Sequence, residues 1–171
     1  MHTQNDSQLG EDRAFVIAVG LDFSSPSQSA LALAQSLAHE HSSTVIHVVH
    51  VTCLPDLSEG GVHVDVGREL ERVRCACAPV TRELGSCVVC HVLIGRADDQ
   101  LVQFSCDCHA DVLILGGREK SSFERFFSTS TTRRIARAAD CSVLVAHDPE
   151  LHPSQETTYG LGSAQQRNPS E

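Results

Sequence analysis

The sequence predicts a three-layer α/β/α sandwich on a five-stranded parallel sheet. Two observations carry this: five short apolar or β-branched runs, and four intervening segments whose apolar residues recur at helical spacing. A third bounds it. At 171 residues the chain suits one domain, and with 41% hydrophobic residues but only 4% aromatics and no Trp, its core must be aliphatic.

Taken in order, Ala14 to Gly20 is a nearly continuous apolar run, as expected of a strand covered on both faces. Ser27 to His41 follows, with Ala30, Leu33, Ala34 and Leu37 on one helical face and Ser27 as the expected N-cap. Thr44 to Val51 is β-branched and reads as the second strand. Residues 52–65 hold Pro55, Gly60 and Gly61 and read as a loop. Gly67 to Leu84 predicts the second helix, stopped by Gly85, with Pro79 inside it expected to kink or split it. Cys87 to Ile94 is the third strand. Ala97 to Cys108 is the third helix, with Asp98 and Asp99 in a first turn that favours acids. Asp111 to Leu115, Ser130 to Ala139 and Ser142 to Ala146 complete the pattern as strand, helix and strand. Each strand-helix-strand crossover is expected to be right-handed. Residues 1–12 read as a flexible lead, 13–148 as the domain and 149–171 as a disordered polar tail.

Several function classes are disfavoured. A formal net charge of −9 opposes general binding to nucleic acid or an anionic membrane. No apolar run approaches the roughly 18–20 residues of a bilayer span. The polar, acidic N-terminus has no signal-peptide pattern, so a cytoplasmic address is the default expectation. Neither a Gly-x-Ser-x-Gly elbow nor a Walker-type loop is present. A phospho-receiver would need further acids beside Asp22 and a Lys after the last strand, where His147-Asp148 stands instead.

The eight cysteines raise disulfide, metal and redox readings. Cys87 and Cys90 fall three apart on a strand, hence on opposite faces, and Cys75 and Cys77 fall two apart on a helix, where side chains do not meet. Cys106-Asp-Cys108-His109 remains as the metal or redox candidate; the alternative is that the thiols are small core residues. His47 and His50 are likewise expected on opposite strand faces.

The segment after the fourth strand concentrates chemistry. Gly116 and Gly117 let backbone turn and approach a ligand. Thr129, Ser130 and Thr131 place hydroxyls and amides at a helix N-terminus, where anions bind. Between residues 116 and 134 stand five cations (Arg118, Lys120, Arg125, Arg133, Arg134) and two acids (Glu119, Glu124), a local excess of positive charge in an acidic chain. Phosphate suits this arrangement; a solvated loop with a Ser/Thr cap is the alternative. Phe123, Phe126 and Phe127 form an apolar cluster within the loop, expected to pack as a lid on the body, with a partner site as the alternative.

These residues resemble the universal stress protein family. Gly95, Leu101, Val102 and Ala110 to Gly116 keep the family's spacing, Arg133 and Arg134 match a basic pair in its final helix, and Ser142 to Val145 matches its last strand. Ala18 to Ser24 resembles its first strand and Asp-containing turn, and Val48 to Val51 the end of its second. The family's loop runs Gly, two residues, Gly, nine residues, Gly-Ser or Gly-Thr. Here Gly116 keeps the first glycine, while Glu119 and Thr129 replace the other two ahead of Ser130. The resemblance implies a Rossmann-like sheet of order 3-2-1-4-5 and ATP or AMP at the carboxyl ends of strands one and four, with Mg only alongside nucleotide. Asp22 and Val51 would then face ribose and adenine, and Gly116, Gly117, Arg118, Ser130 and Thr131 the phosphates. It also implies a homodimer paired through Ser142, Val143, Leu144, Val145 and Ala146. Glu119 and Thr129 make the loop degenerate. The expectation is therefore a non-enzymatic stress-response regulator. The alternatives are an ATP/AMP-binding sensor with at most slow hydrolysis and a thiol redox or metal-binding protein.

Overall fold

The computed structural model describes residues 13–52, 65–117 and 129–147. The expected lead and tail, the Phe123–Phe127 cluster, Arg118 and Glu119 lie outside the described residues. In chain order the elements are β1 (Phe15–Gly20), α1 (Ser25–His39), β2 (Thr44–Thr52), α2 (Val66–Leu84), β3 (Val88–Ile94), α3 (Ala97–Asp107), β4 (Val112–Gly116), α4 (Thr129–Ala138) and β5 (Ser142–Ala146). The strands pair in the order β3-β2-β1-β4-β5, all parallel.

Strand periodicity divides the core into two halves. Ile17, Val19 and Leu21 point to one face, where they meet Ala30, Leu31 and Ala34 of α1 and Val73 and Cys77 of α2. Ala18, Val49, Val51, Leu113 and Leu115 point to the other, against Leu101 of α3 and Ile135 of α4. Burial on both faces is why these strands read as apolar runs rather than alternating ones. Ahead of the sheet, Asp111 fixes the β1–β4 register. Its carboxylate accepts from the Val16 amide at 2.8 Å, its own amide donates to the Val16 carbonyl at 2.8 Å, and Arg13 pairs with it from the side.

Three expectations change. Helix α1 begins before Ser27: Ser24 is its N-cap and accepts from the Ser27 amide at 3.4 Å. Pro26 fits the first turn because its missing N–H would have no helical partner there. Pro79 does not split α2, which runs unbroken for 19 residues. Pro79 and Cys75, whose carbonyl loses its helical donor, are both exposed, so water can take that bond. Cys87 is not in the third strand but closes the 3-10 turn Gly85–Cys87, entered through Gly85 at φ 68°.

Candidate functional site

Strands β1 and β4 lie side by side, with Val19 level with Ile114. This is where strand order reverses, and open α/β sheets leave a crevice at such a point beyond the carboxyl ends of their strands. Two residues beyond that pair stand Leu21 and Gly116, so Asp22 and the start of the glycine segment share one mouth.

Gly116 is pressed against helix α1. A Cβ there would lie 2.5 Å from both the carbonyl carbon of Pro26 and the amide nitrogen of Ser27. At Gly117 a Cβ would meet Val145 at 2.7 Å and His147 at 2.9 Å, while the Gly117 amide donates to the Ala146 carbonyl at 2.7 Å. The sequence suggested that these glycines serve a tight turn and close approach to a ligand. Neither has a positive φ; what they permit is close approach by neighbouring segments, which sets the first turn of α1 at the mouth.

Asp22 organises that first turn. One carboxylate oxygen accepts from the Ser24 amide at 3.0 Å and from the Ser24 hydroxyl. The Asp22 amide donates to the Ser27 hydroxyl at 3.3 Å, and that hydroxyl donates to the Ser24 carbonyl at 2.9 Å. An Asp in this position mimics a backbone turn and launches the helix. Val51 ends buried in the core half beneath α3 and α4, so a ligand contact at this position falls to its backbone. Thr131 is half-buried in the first turn of α4. The helix holds the backbone of Thr129 and Ser130, whose side chains lie outside the described residues.

Four neighbours of the mouth escaped the sequence reading. Phe23 follows Asp22 at φ 63°, a conformation a bulky side chain adopts only under constraint. Its ring lies 4.7 Å from the imidazole of buried His50, and the Arg72 guanidinium sits 4.3 Å over it. His50 donates from Nδ1 to the Leu21 carbonyl at 2.8 Å, since a carbonyl can only accept. Glu69 stands 3.7 Å from its Nε2 and 2.7 Å from Arg72. His50 was visible as a histidine at the end of a strand, but the left-handed turn that brings Phe23 onto it leaves no sequence signal.

One of the cations counted for phosphate is engaged elsewhere in the fold. Arg134, counted among the phosphate cations, pairs with Asp98 at 2.7 Å and reaches Asp99 at 3.8 Å. Arg96 joins from the other side, 3.1 Å from Asp98. Burial opposes charge on Asp98, but the Arg96 hydrogen bond and the charges of Arg134 and Arg96 outweigh it and hold the carboxyl below its ordinary range. This cluster ties α4 to the first turn of α3.

The metal alternative does not assemble. Cys106 and His109 are exposed, the half-buried Cys108 thiol turns back to the Ser105 carbonyl at 3.7 Å, and no three metal-type side chains converge among the described residues. Among those residues, no helix is long and apolar enough to cross a membrane.

With its sheet order and its mouth between β1 and β4, the molecule is a Rossmann-like α/β domain. The model of the universal stress protein family matches residues 15–147, and the chain belongs to that family. Among solved structures it is similar to a universal stress protein from Burkholderia pseudomallei, with 25% identity, TM-score 0.59, and 77% of this chain and 94% of that one covered. It also shares its fold with a universal stress protein solved in complex with cAMP, at 20% identity and TM-score 0.59, covering 80% of this chain and 99% of that one. The same holds for one from Archaeoglobus fulgidus in complex with dAMP, at 19% identity and TM-score 0.57, covering 78% and 98%. No curated protein sequence matches the chain.

Proposed function

We propose that this chain is a non-enzymatic regulatory protein that acts as a homodimer and responds to an adenine mononucleotide at the β1–β4 mouth. The observation that carries the reading is the contact of Gly116 with the first turn of α1, which gathers Asp22 and the start of the glycine loop at the switch point. Two proteins of this fold were solved with adenine nucleotides that carry a single phosphate, cAMP and dAMP. One phosphate also suits the residues better than three. Glu119 puts a carboxylate into the loop, Thr129 replaces a second glycine, and Arg134 is engaged by Asp98. At an effective dielectric near 20, a like charge beside a polyphosphate costs on the order of 1–4 kcal/mol, up to about a thousandfold in affinity. Regulation rather than catalysis is favoured because the bonds of Asp22 serve the helix cap.

The dimer in this proposal forms through β5, whose outer edge has no strand partner among the described residues and carries half-exposed Leu144 and Val145. The seven cysteines among the described residues are free thiols, which fits the cytoplasmic setting expected from the sequence.

Thermal melting with and without ligand tests the reading. AMP at a hundred times its dissociation constant adds about 2.7 kcal/mol, a rise of roughly 5–10 °C for a domain of this size. MgATP is expected to act more weakly, and Glu119→Gly to narrow the gap. No shift with either nucleotide at millimolar concentration would remove the ligand and leave the regulatory dimer alone.

A further inference from the structure

The cysteine pairs suggested by sequence spacing are not the pair the fold makes. Cys77 faces inward from α2, fully buried, and Cys90 lies half-buried on β3 against the same core half. Their side chains interact directly. An open groove of about 620 Å³ runs between α2 and the edge strand β3, and Cys90 lines it. Arg74, Thr81 and Arg82 of α2 form one side, with Val88 and Val89 beside Cys90. Solvent therefore reaches Cys90, while Cys77 is closed off behind it.

We propose that Cys90 and Cys77 form a thiol–disulfide exchange site that takes a small anionic disulfide from this groove, Cys90 attacking and Cys77 resolving. The Cys90 thiolate attacks one sulfur of the small disulfide, forming a mixed disulfide and releasing a thiolate that takes up a proton. Cys77 then loses its proton and attacks the Cys90 sulfur, forming the Cys77–Cys90 disulfide and releasing the second small thiol. Two protein thiols are oxidised, and one small disulfide is reduced to two thiols. Each residue suits its role. The hydrogen bond from Cys77 and the charge of Arg74 lower Cys90 against the effect of burial, which favours the attacking thiolate. The same pairing and burial raise Cys77, which keeps its proton until the mixed disulfide places an electrophile beside it. The two arginines on the groove favour an anionic partner.

The test treats the reduced full-length chain with glutathione disulfide at neutral pH, followed by alkylation and peptide mapping without reduction. A Cys77–Cys90 linked peptide is expected in the wild type, and in Cys77→Ala the reaction should stop with glutathione on Cys90. In Arg74→Gln/Arg82→Gln, the preference for glutathione disulfide over neutral hydroxyethyl disulfide should fall about tenfold. The proposal is overturned if Cys77 and Cys90 stay alkylatable in the wild type while exposed Cys75 or Cys106 takes up glutathione. It is also overturned if Cys77 in Cys90→Ser reacts as fast as in the wild type. The wild-type result needs no variant to fold.

Discussion

A methyl group on Gly116 would collide with backbone, not with a side chain that could swing aside. Gly116→Ala is therefore expected to push α1 off the end of β4 and to destabilise the domain by roughly 1–3 kcal/mol, the usual range for overpacking. A drop in the urea midpoint without a change in slope would show it. An unchanged midpoint would mean that the helix tolerates the shift and that Gly116 does not fix the mouth. The glycine could be picked out from the sequence, as the first of the loop and the end of an apolar strand. Its reason could not, because the atoms it accommodates belong to Pro26 and Ser27, 90 and 89 positions earlier in the chain. Phe23 was hidden differently: its φ of 63° comes from neighbours on β2 and α2, and its residue type disfavours the conformation it adopts.

Between elements, the contacts that matter are polar pairs made across the sheet. His47 on β2 and His91 on β3 meet at 3.0 Å, both packed against the Phe104 ring of α3. One imidazole donates and the other accepts, an arrangement that needs a neutral ring. Burial lowers the pKa of both, and the charge of His47 lowers His91 further. The unfolded chain then binds protons at a higher pH than the folded one. The stabilisation is fully present above the ordinary histidine value of 6.5 and is lost as pH falls below it. Chemical denaturation between about pH 7.5 and 5 should show falling stability that flattens in a His47→Gln/His91→Gln variant. An equal slope in that variant would assign the acid sensitivity elsewhere. Asp98 does not compete in this window, because its lowered carboxyl loses its contribution only below its ordinary value of 3.8. The element pattern itself was legible, since strands buried on both faces announce themselves as apolar runs. The start of α1 and the continuity of α2 were not, because a Ser-Ser-Pro-Ser stretch offers several caps and a proline's damage depends on which side of the helix it faces.

For the whole molecule, family and sheet order followed from motifs spread over the chain, and the structure bears them out. The electrostatics of the site did not follow, because counting charges along residues 116–134 cannot reveal that Asp98 on another helix claims Arg134. The proposed dimer rests on the β5 edge. Leu144→Glu should convert a dimer to a monomer in light scattering while leaving the fold intact by circular dichroism. A dimer unaffected by that charge would place the interface elsewhere. The central claim is that the mouth between β1 and β4 takes an adenine mononucleotide, and titrating isotopically labelled protein with AMP tests it residue by residue. The amides of Asp22, Gly116, Gly117 and Thr131 are predicted to shift in saturable fashion while those of Val88 and Val89 stay put. Saturable shifts confined to other surfaces, or none at these four residues, would contradict it.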